Sequence, residues 1–176
     1  MEFKTSASAV VENYDELLNQ YQHRKANSVN LDKVAQLIRT TEEVMQNDGK
    51  LEVAVILIKQ ALQMQDKLLP GDYSQLEKCI KMLNNKAMIY LDKGQDDRAL
   101  YLLQNAEKFV RKYKDYRGQS EIANLYNNMA LGLQRHNFLG FAKDYLERAQ
   151  SLNFRYRLPT GKTDLNYGCL LSAMNK

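Results

Sequence analysis

The chain has 176 residues, 44% apolar and 26% charged, with a formal net charge of +4. That length holds one domain or one run of repeats rather than two large independent domains, and the balance of residues is that of a folded globular chain. No apolar run approaches the roughly 20 residues of a membrane span, and residues 1–18 carry neither a secretory h-region nor an Arg-rich, acid-poor leader.

Only 8 Gly and 2 Pro interrupt the sequence, so the stretches between them read as helices rather than many short strands. An amphipathic segment near Ser8 to Lys25 comes first, and residues 1–30 are read as an N-terminal helix and linker. From Leu31 the apolar residues Val34, Leu37, Ile38, Val44 and Met45 recur at helical spacing until Asn47-Asp48-Gly49 stops them. A second helix runs from Leu51 and ends before Pro70-Gly71. A third spans Ser74 to Asp92 and a fourth Asp96 to Tyr116, with Lys93-Gly94-Gln95 between them. A fifth covers Gln119 to Arg135, a sixth Phe138 to Leu152, and a seventh begins after Pro159-Thr160-Gly161. Short turns between long helices predict antiparallel pairs, grouped as 31–69, 74–117, 119–153 and an incomplete 162–176.

The pairs repeat. Ala99, Leu103 and Ala106 follow Gly94 at the offsets by which Ala142, Leu146 and Ala149 follow Asn137, and Ala54, Ile58 and Ala61 follow Gly49. Ala87 to Ala130, Ala99 to Ala142 and Ala106 to Ala149 are each 43 apart. Small side chains let helices cross closely, and each pair buries its apolar face only against the next.

A small residue followed by Tyr90, Gly94, Ala99, Leu103 and Ala106 resembles the tetratricopeptide repeat, whose usual period is about 34. The longer period, with Asn84-Asn85-Lys86-Ala87, Asn127-Asn128-Met129-Ala130 and Leu165-Asn166-Tyr167-Gly168 as successive copies, is similar to the kinesin-light-chain type. It departs from the pattern at Lys86, at Asn137 in place of the turn glycine, and at Glu42 where alanine is expected. The resemblance spans Leu31 onward and implies an all-α fold, a right-handed α-solenoid of helix pairs with a period of about 43.

Catalytic patterns are missing: no Gly-rich phosphate loop, no G-x-S-x-G, no H-E-x-x-H. His23 and His136 stand alone, and His136 reads as a helix C-cap residue. Cys79 and Cys169, 90 positions apart, make no disulfide scaffold and no zinc site and point to a reducing compartment. Cys79 falls in an apolar stripe with Leu76, Ile80 and Leu83, the pattern of a buried thiol. No cofactor, no metal and no enzymatic activity are expected.

Three surfaces remain as candidates. By the resemblance, the first helix of each pair lines a concave groove where Asn85, Asn128 and Asn166 recur. Asn pairs an acceptor with a donor and so can hold an extended peptide backbone; the competing reading is that these residues bond between adjacent helices. Lys81, Met88, Asn124, Leu131 and Arg135 would share that groove. Asn84 and Asn127 stand where the chaperone-tail clamp of some tetratricopeptide co-chaperones has a basic residue, which disfavours that ligand. The second surface is basic: Lys108, Arg111, Lys112, Lys114 and Arg117, against Glu107 and Asp115, give +3. With Tyr113 and Tyr116 interleaved it admits RNA or an acidic partner, but Asp96-Asp97 at the start of the same helix makes it also what a helix dipole favours. The third comprises Leu165, Tyr167, Leu170, Leu171 and Met174, apolar on more than one helical face, as if another subunit or further repeats covered that end.

The expected function is a non-catalytic scaffold or adaptor subunit with protein partners, holding a partner segment in the groove. Nucleic acid is disfavoured as a partner, and the alternatives are an RNA-associated repeat protein using the basic stretch or an architectural subunit with an empty groove. A cytoplasmic setting, cytoskeletal or ciliary, follows from analogy alone.

Overall fold

The computed structural model describes residues 28–46 and 50–175, and these are helical without any strand: α1 (28–46), α2 (Leu51–Leu68), α3 (Ser74–Asp92), α4 (Asp96–Lys112), α5 (Gln119–Arg135), α6 (Leu139–Tyr156) and α7 (Gly161–Met174). The expected N-terminal segment, with His23, and the Asn47-Asp48-Gly49 stop lie outside the described residues, except that 28–30 already belong to α1.

The turns show the repeat at backbone level. Gly94 takes a left-handed φ of 69°, the Gln95 N–H donates to the Tyr90 carbonyl at 2.8 Å and the Gly94 N–H to Leu91 at 3.0 Å. Forty-three residues on, Asn137 has φ 61°, Phe138 donates to Leu133 at 2.9 Å and Asn137 to Gln134 at 2.9 Å. Both close their helices with the same paired bonds and one left-handed residue, a conformation asparagine tolerates better than other side chains. At the start of α3 the Asp72 carboxylate accepts the Ser74 N–H at 2.9 Å, which pulls its pKa below the ordinary aspartate value and supplies a cap after Pro70-Gly71.

Two helices differ from the sequence expectation. α4 stops at Lys112 rather than Tyr116, because Tyr116 folds back with its N–H on the Tyr113 carbonyl (3.0 Å) and its ring buried edge-on against Tyr73. α6 runs on to Tyr156, where Arg157 at φ 54° ends it and the Leu158 N–H reaches Asn153 at 2.9 Å.

Every small residue of the repeat pattern from Ala54 to Ala149 is at the core, with exposure of 1% or less for Ala54, Ala61, Ala87, Ala99, Ala106, Ala130, Ala142 and Ala149. Leucine and isoleucine fill between them, each contributing roughly 1.5–3 kcal/mol on full burial. The helices pack in a regular order: α3 against α4 and α5, α5 against α6 and α7, and α6 against α7. Gly132 marks one close crossing, since a Cβ there would come within 2.8 Å of a Leu100 methyl. The first helices α3, α5 and α7 therefore stand side by side, and this arrangement decides what their polar residues do.

Candidate functional site

The asparagines form joints between neighbouring first helices. Asn84, 3% exposed, donates from Nδ2 to the Glu121 carbonyl of α5 at 3.1 Å. Asn127, its counterpart 43 residues later and also 3% exposed, donates to Thr163 Oγ1 of α7 at 2.9 Å and to the Ala123 carbonyl at 3.0 Å. The second asparagine of each pair reaches back: Asn128 Nδ2 lies 3.5 Å from Asn84 Oδ1, and Asn166 Nδ2 lies 3.3 Å from Asn127 Oδ1. Asn153 of α6 closes on the same Thr163 hydroxyl at 2.8 Å, so a polar thread crosses α5, α6 and α7 inside the core. Buried amides without partners would cost about 1–3 kcal/mol each, and here each finds one.

This corrects the peptide-ladder expectation at Asn128. Only 2% of it is exposed, and its Oδ1 accepts the Lys162 ammonium at 2.8 Å, so neither end of the amide faces a groove. Asn85 is exposed and takes no part in the thread, while Asn166 is half-buried in it. The register linking Asn85, Asn128 and Asn166 is thus real along the chain, but burial differs: Lys162 of α7 lies over Asn128, while Asn85 stays exposed. Arg135 is another correction. Its guanidinium donates to the Leu91 carbonyl at the end of α3 and lies 3.1 Å from Asp96, which makes it a cap and an ion pair between helix pairs.

What remains accessible on that face is Lys81 and Asn85, with Met88, Asn124 and Leu131 half-buried. Lys162 joins them from α7. The residue as a whole is exposed, but partial burial of its ammonium lowers the pKa below the ordinary lysine value, opposed by the charge of Glu121. Sequence reasoning missed Lys162; its position in the first turn of α7 gave no sign, and only the Asn128 contact identifies it.

The basic stretch is divided. Arg111 is bound at 2.7 Å to Glu107, which also accepts the Tyr145 hydroxyl of α6 at 2.9 Å and lies 3.8 Å from Arg148. Glu107 is 8% exposed, and burial together with its bond to Glu107 pushes the Tyr145 phenol up to about 12. The cluster ties α4 to α6 on the side away from the asparagines. Lys108, Lys112, Lys114 and Arg117 are exposed, with the Lys112 ammonium 5.2 Å from the centroid of the Tyr113 ring. Asp96 and Asp97 sit in the first turn of α4 and Arg111 and Lys112 in its last, the distribution a helix dipole favours.

Of the end-packing candidates, Leu170 is fully buried with Ala130, Ala142 and Leu146, and Tyr167 is half-buried against the same cluster, so both serve the chain's own core. Leu165, Leu171 and Met174 are exposed, at 68%, 44% and 44%. His136 sits at the C-cap of α5 with Nε2 3.3 Å from Asp97, and Cys79 is buried while Cys169 is exposed. Among the described residues no three His, Cys, Asp or Glu side chains gather as metal ligands would, and no helix is long and apolar enough to cross a membrane.

No family model matches the chain, and no curated protein and no solved structure matches it.

Proposed function

We propose that this chain is a non-catalytic interaction scaffold: a right-handed solenoid of tetratricopeptide-like helix pairs, of the lengthened kinesin-light-chain kind, that holds a partner segment along α3, α5 and α7. The observation that carries this reading is the side-by-side order of those three helices, joined at equivalent positions by Asn84 and Asn127. Such joints fix the spacing of a continuous surface, which is what an extended or helical segment needs in order to bind without ordering its receptor.

Recognition then falls to the accessible residues Lys81, Asn85 and Lys162, with the half-buried Met88, Asn124 and Leu131 as its apolar and polar floor. The ammonium groups of Lys81 and Lys162, the second beside the charge of Glu121, fit a partner carrying acidic and apolar side chains. The test is affinity purification of the tagged full chain, wild type beside a Lys81→Glu/Met88→Asp variant whose helicity and melting match wild type. Partners lost selectively from the variant support the reading and name the cargo; an unchanged partner list sinks it.

A further inference from the structure

The turn between α5 and α6 exposes aromatic rings that the fold does not need. Phe138 and Phe141 are 53% and 64% exposed. Forty-three residues earlier the same two positions are Gln95 and Arg98, which hydrogen-bond to each other at 3.4 Å across the start of α4. A polar pair therefore suffices at this turn, and two exposed phenyl rings in its place call for another reason. Their neighbours differ in the same direction: α4 begins with Asp96 and Asp97, whereas α6 begins with Leu139 and Gly140.

These rings line a cavity. About 480 Å³ opens between Asn137, Phe138, Leu139, Gly140, Phe141 and Asp144, a size within the roughly 300–1,000 Å³ of small-ligand sites. The left-handed turn at Asn137 (φ 61°) sets Phe138 just before the first turn of α6, where its ring meets Phe141 edge-on, centroids 6.5 Å apart and planes at 72°. Gly140 adds no side chain between them, and nothing lies within 4 Å of where its Cβ would stand. Asp144 is exposed one turn beyond Phe141. The cations nearest it along α6 are engaged elsewhere: Lys143 faces Glu147 at 3.7 Å, and Arg148 lies 3.8 Å from Glu107 with its guanidinium over the Tyr145 ring. Among the described residues no cation pairs with the Asp144 carboxylate. On the other side His136 stacks on Phe138 at 6.4 Å and holds Nε2 3.3 Å from Asp97, whose side chain is 93% exposed. The surface thus runs from one carboxylate across three aromatic rings to another.

Phenyl faces and an unpaired carboxylate attract the same thing, a cation. The N-terminus of α6 opposes it, but with the equivalent of about half a unit charge against the whole charge of Asp144. Among cations a guanidinium fits these walls. It is planar, so it can lie flat on one ring of a right-angled pair while its fork of N–H donors reaches the carboxylate; a round ammonium is better held by a cage of several ring faces. We propose that this cavity is an arginine-binding site, in which an arginine of a partner protein segment lays its guanidinium against Phe138 and Phe141 and pairs with Asp144. The site uses none of the accessible residues of the α3–α5–α7 face, so either reading can fail without the other.

Backbone amide shifts of the isotope-labelled full chain, titrated with the acetylated and amidated tripeptide Gly-Arg-Gly, test it. Saturating shifts centred on Gly140, Phe141 and Asp144 are expected, with Gly-Lys-Gly bound more weakly and Gly-Glu-Gly not at all. Phe141→Ala and Asp144→Asn, both at exposed sites where melting should match wild type, each weaken Gly-Arg-Gly about two- to fivefold. Shifts that do not saturate or that centre elsewhere overturn the proposal, as does affinity indifferent to Asp144→Asn. Gly-Lys-Gly bound as tightly as Gly-Arg-Gly would remove the guanidinium, and Gly-Glu-Gly bound as tightly would show that the helix N-terminus rather than the carboxylate selects the ligand; either result overturns it too.

Discussion

Truncating Asn127 separates a structural asparagine from a recognition one, because the two readings predict different observables. Asn127→Ala removes the bond to Thr163 (2.9 Å) and the one received from Asn166 (3.3 Å), both between helices. At about 1 kcal/mol net each these contribute roughly 2 kcal/mol. The space left by a side chain at 3% exposure adds about 1 kcal/mol, and the better helix propensity of alanine returns about 0.6 kcal/mol. The expected destabilisation is thus about 2–3 kcal/mol. Asn85→Ala, at an exposed site outside the thread, gains the propensity term alone and stabilises by up to about 0.6 kcal/mol. Urea unfolding followed by far-UV circular dichroism measures both, through the shift in midpoint at constant slope. Opposite signs support the joint; values for the two variants within about 0.5 kcal/mol of each other would refute the reasoning, since Asn127 would then hold nothing together.

Four further outcomes follow from burial and backbone geometry. The Tyr116 hydroxyl is buried without a hydrogen-bond partner, so Tyr116→Phe is expected to be neutral or to stabilise by about 1 kcal/mol, and a loss above that by thermal or urea unfolding would reveal a partner for it. Arg157 holds a left-handed φ of 54° at the end of α6, so Arg157→Gly should raise stability by about 1 kcal/mol in the same assay, and a drop would show that its side chain matters more than its backbone. Burial pushes the Cys79 thiol up from 9.0 to about 12, whereas Cys169 is exposed. A maleimide at neutral pH should therefore label one thiol in the native chain and two after denaturation. A folded pKa raised above the unfolded one contributes stability that is complete below pH 9 and lost as pH rises towards 12, so Cys79→Ala should flatten the alkaline fall in melting temperature, and an unchanged profile would count against it.

The helices and their pairing were legible because the signals are local. Breakers, apolar period and small residues at fixed offsets all survive in one dimension, which is why α3 and α5 were read to the residue. The errors at α4 and α6 arise where tertiary contact decides: Tyr116 leaves the helix for a place beside Tyr73, and Arg157 ends α6 with a left-handed backbone that arginine does not advertise. Glu107 shows the same limit for charge. Counted in sequence it was one acid inside a basic run; folded, it is 8% exposed and draws Arg111, Arg148 and Tyr145 onto itself across two helices.

The asparagines carry the more general point. Their 43-residue recurrence was visible, but recurrence gives a register and says nothing of which side of the helix a neighbour will cover. Asn85 and Asn128 share a position in the repeat and differ in environment because α7 supplies Lys162 over Asn128, whereas Asn85 stays exposed. A polar residue repeated along a helical array therefore serves packing wherever a neighbouring helix covers its own position, and is available to a partner only where that position stays exposed. Lys81 and Asn85 on α3 meet that condition, although α1 reaches Lys78 of the same helix through Glu42 at 3.1 Å. Binding by this chain is accordingly expected where such residues stay exposed rather than at the buried asparagines of α5.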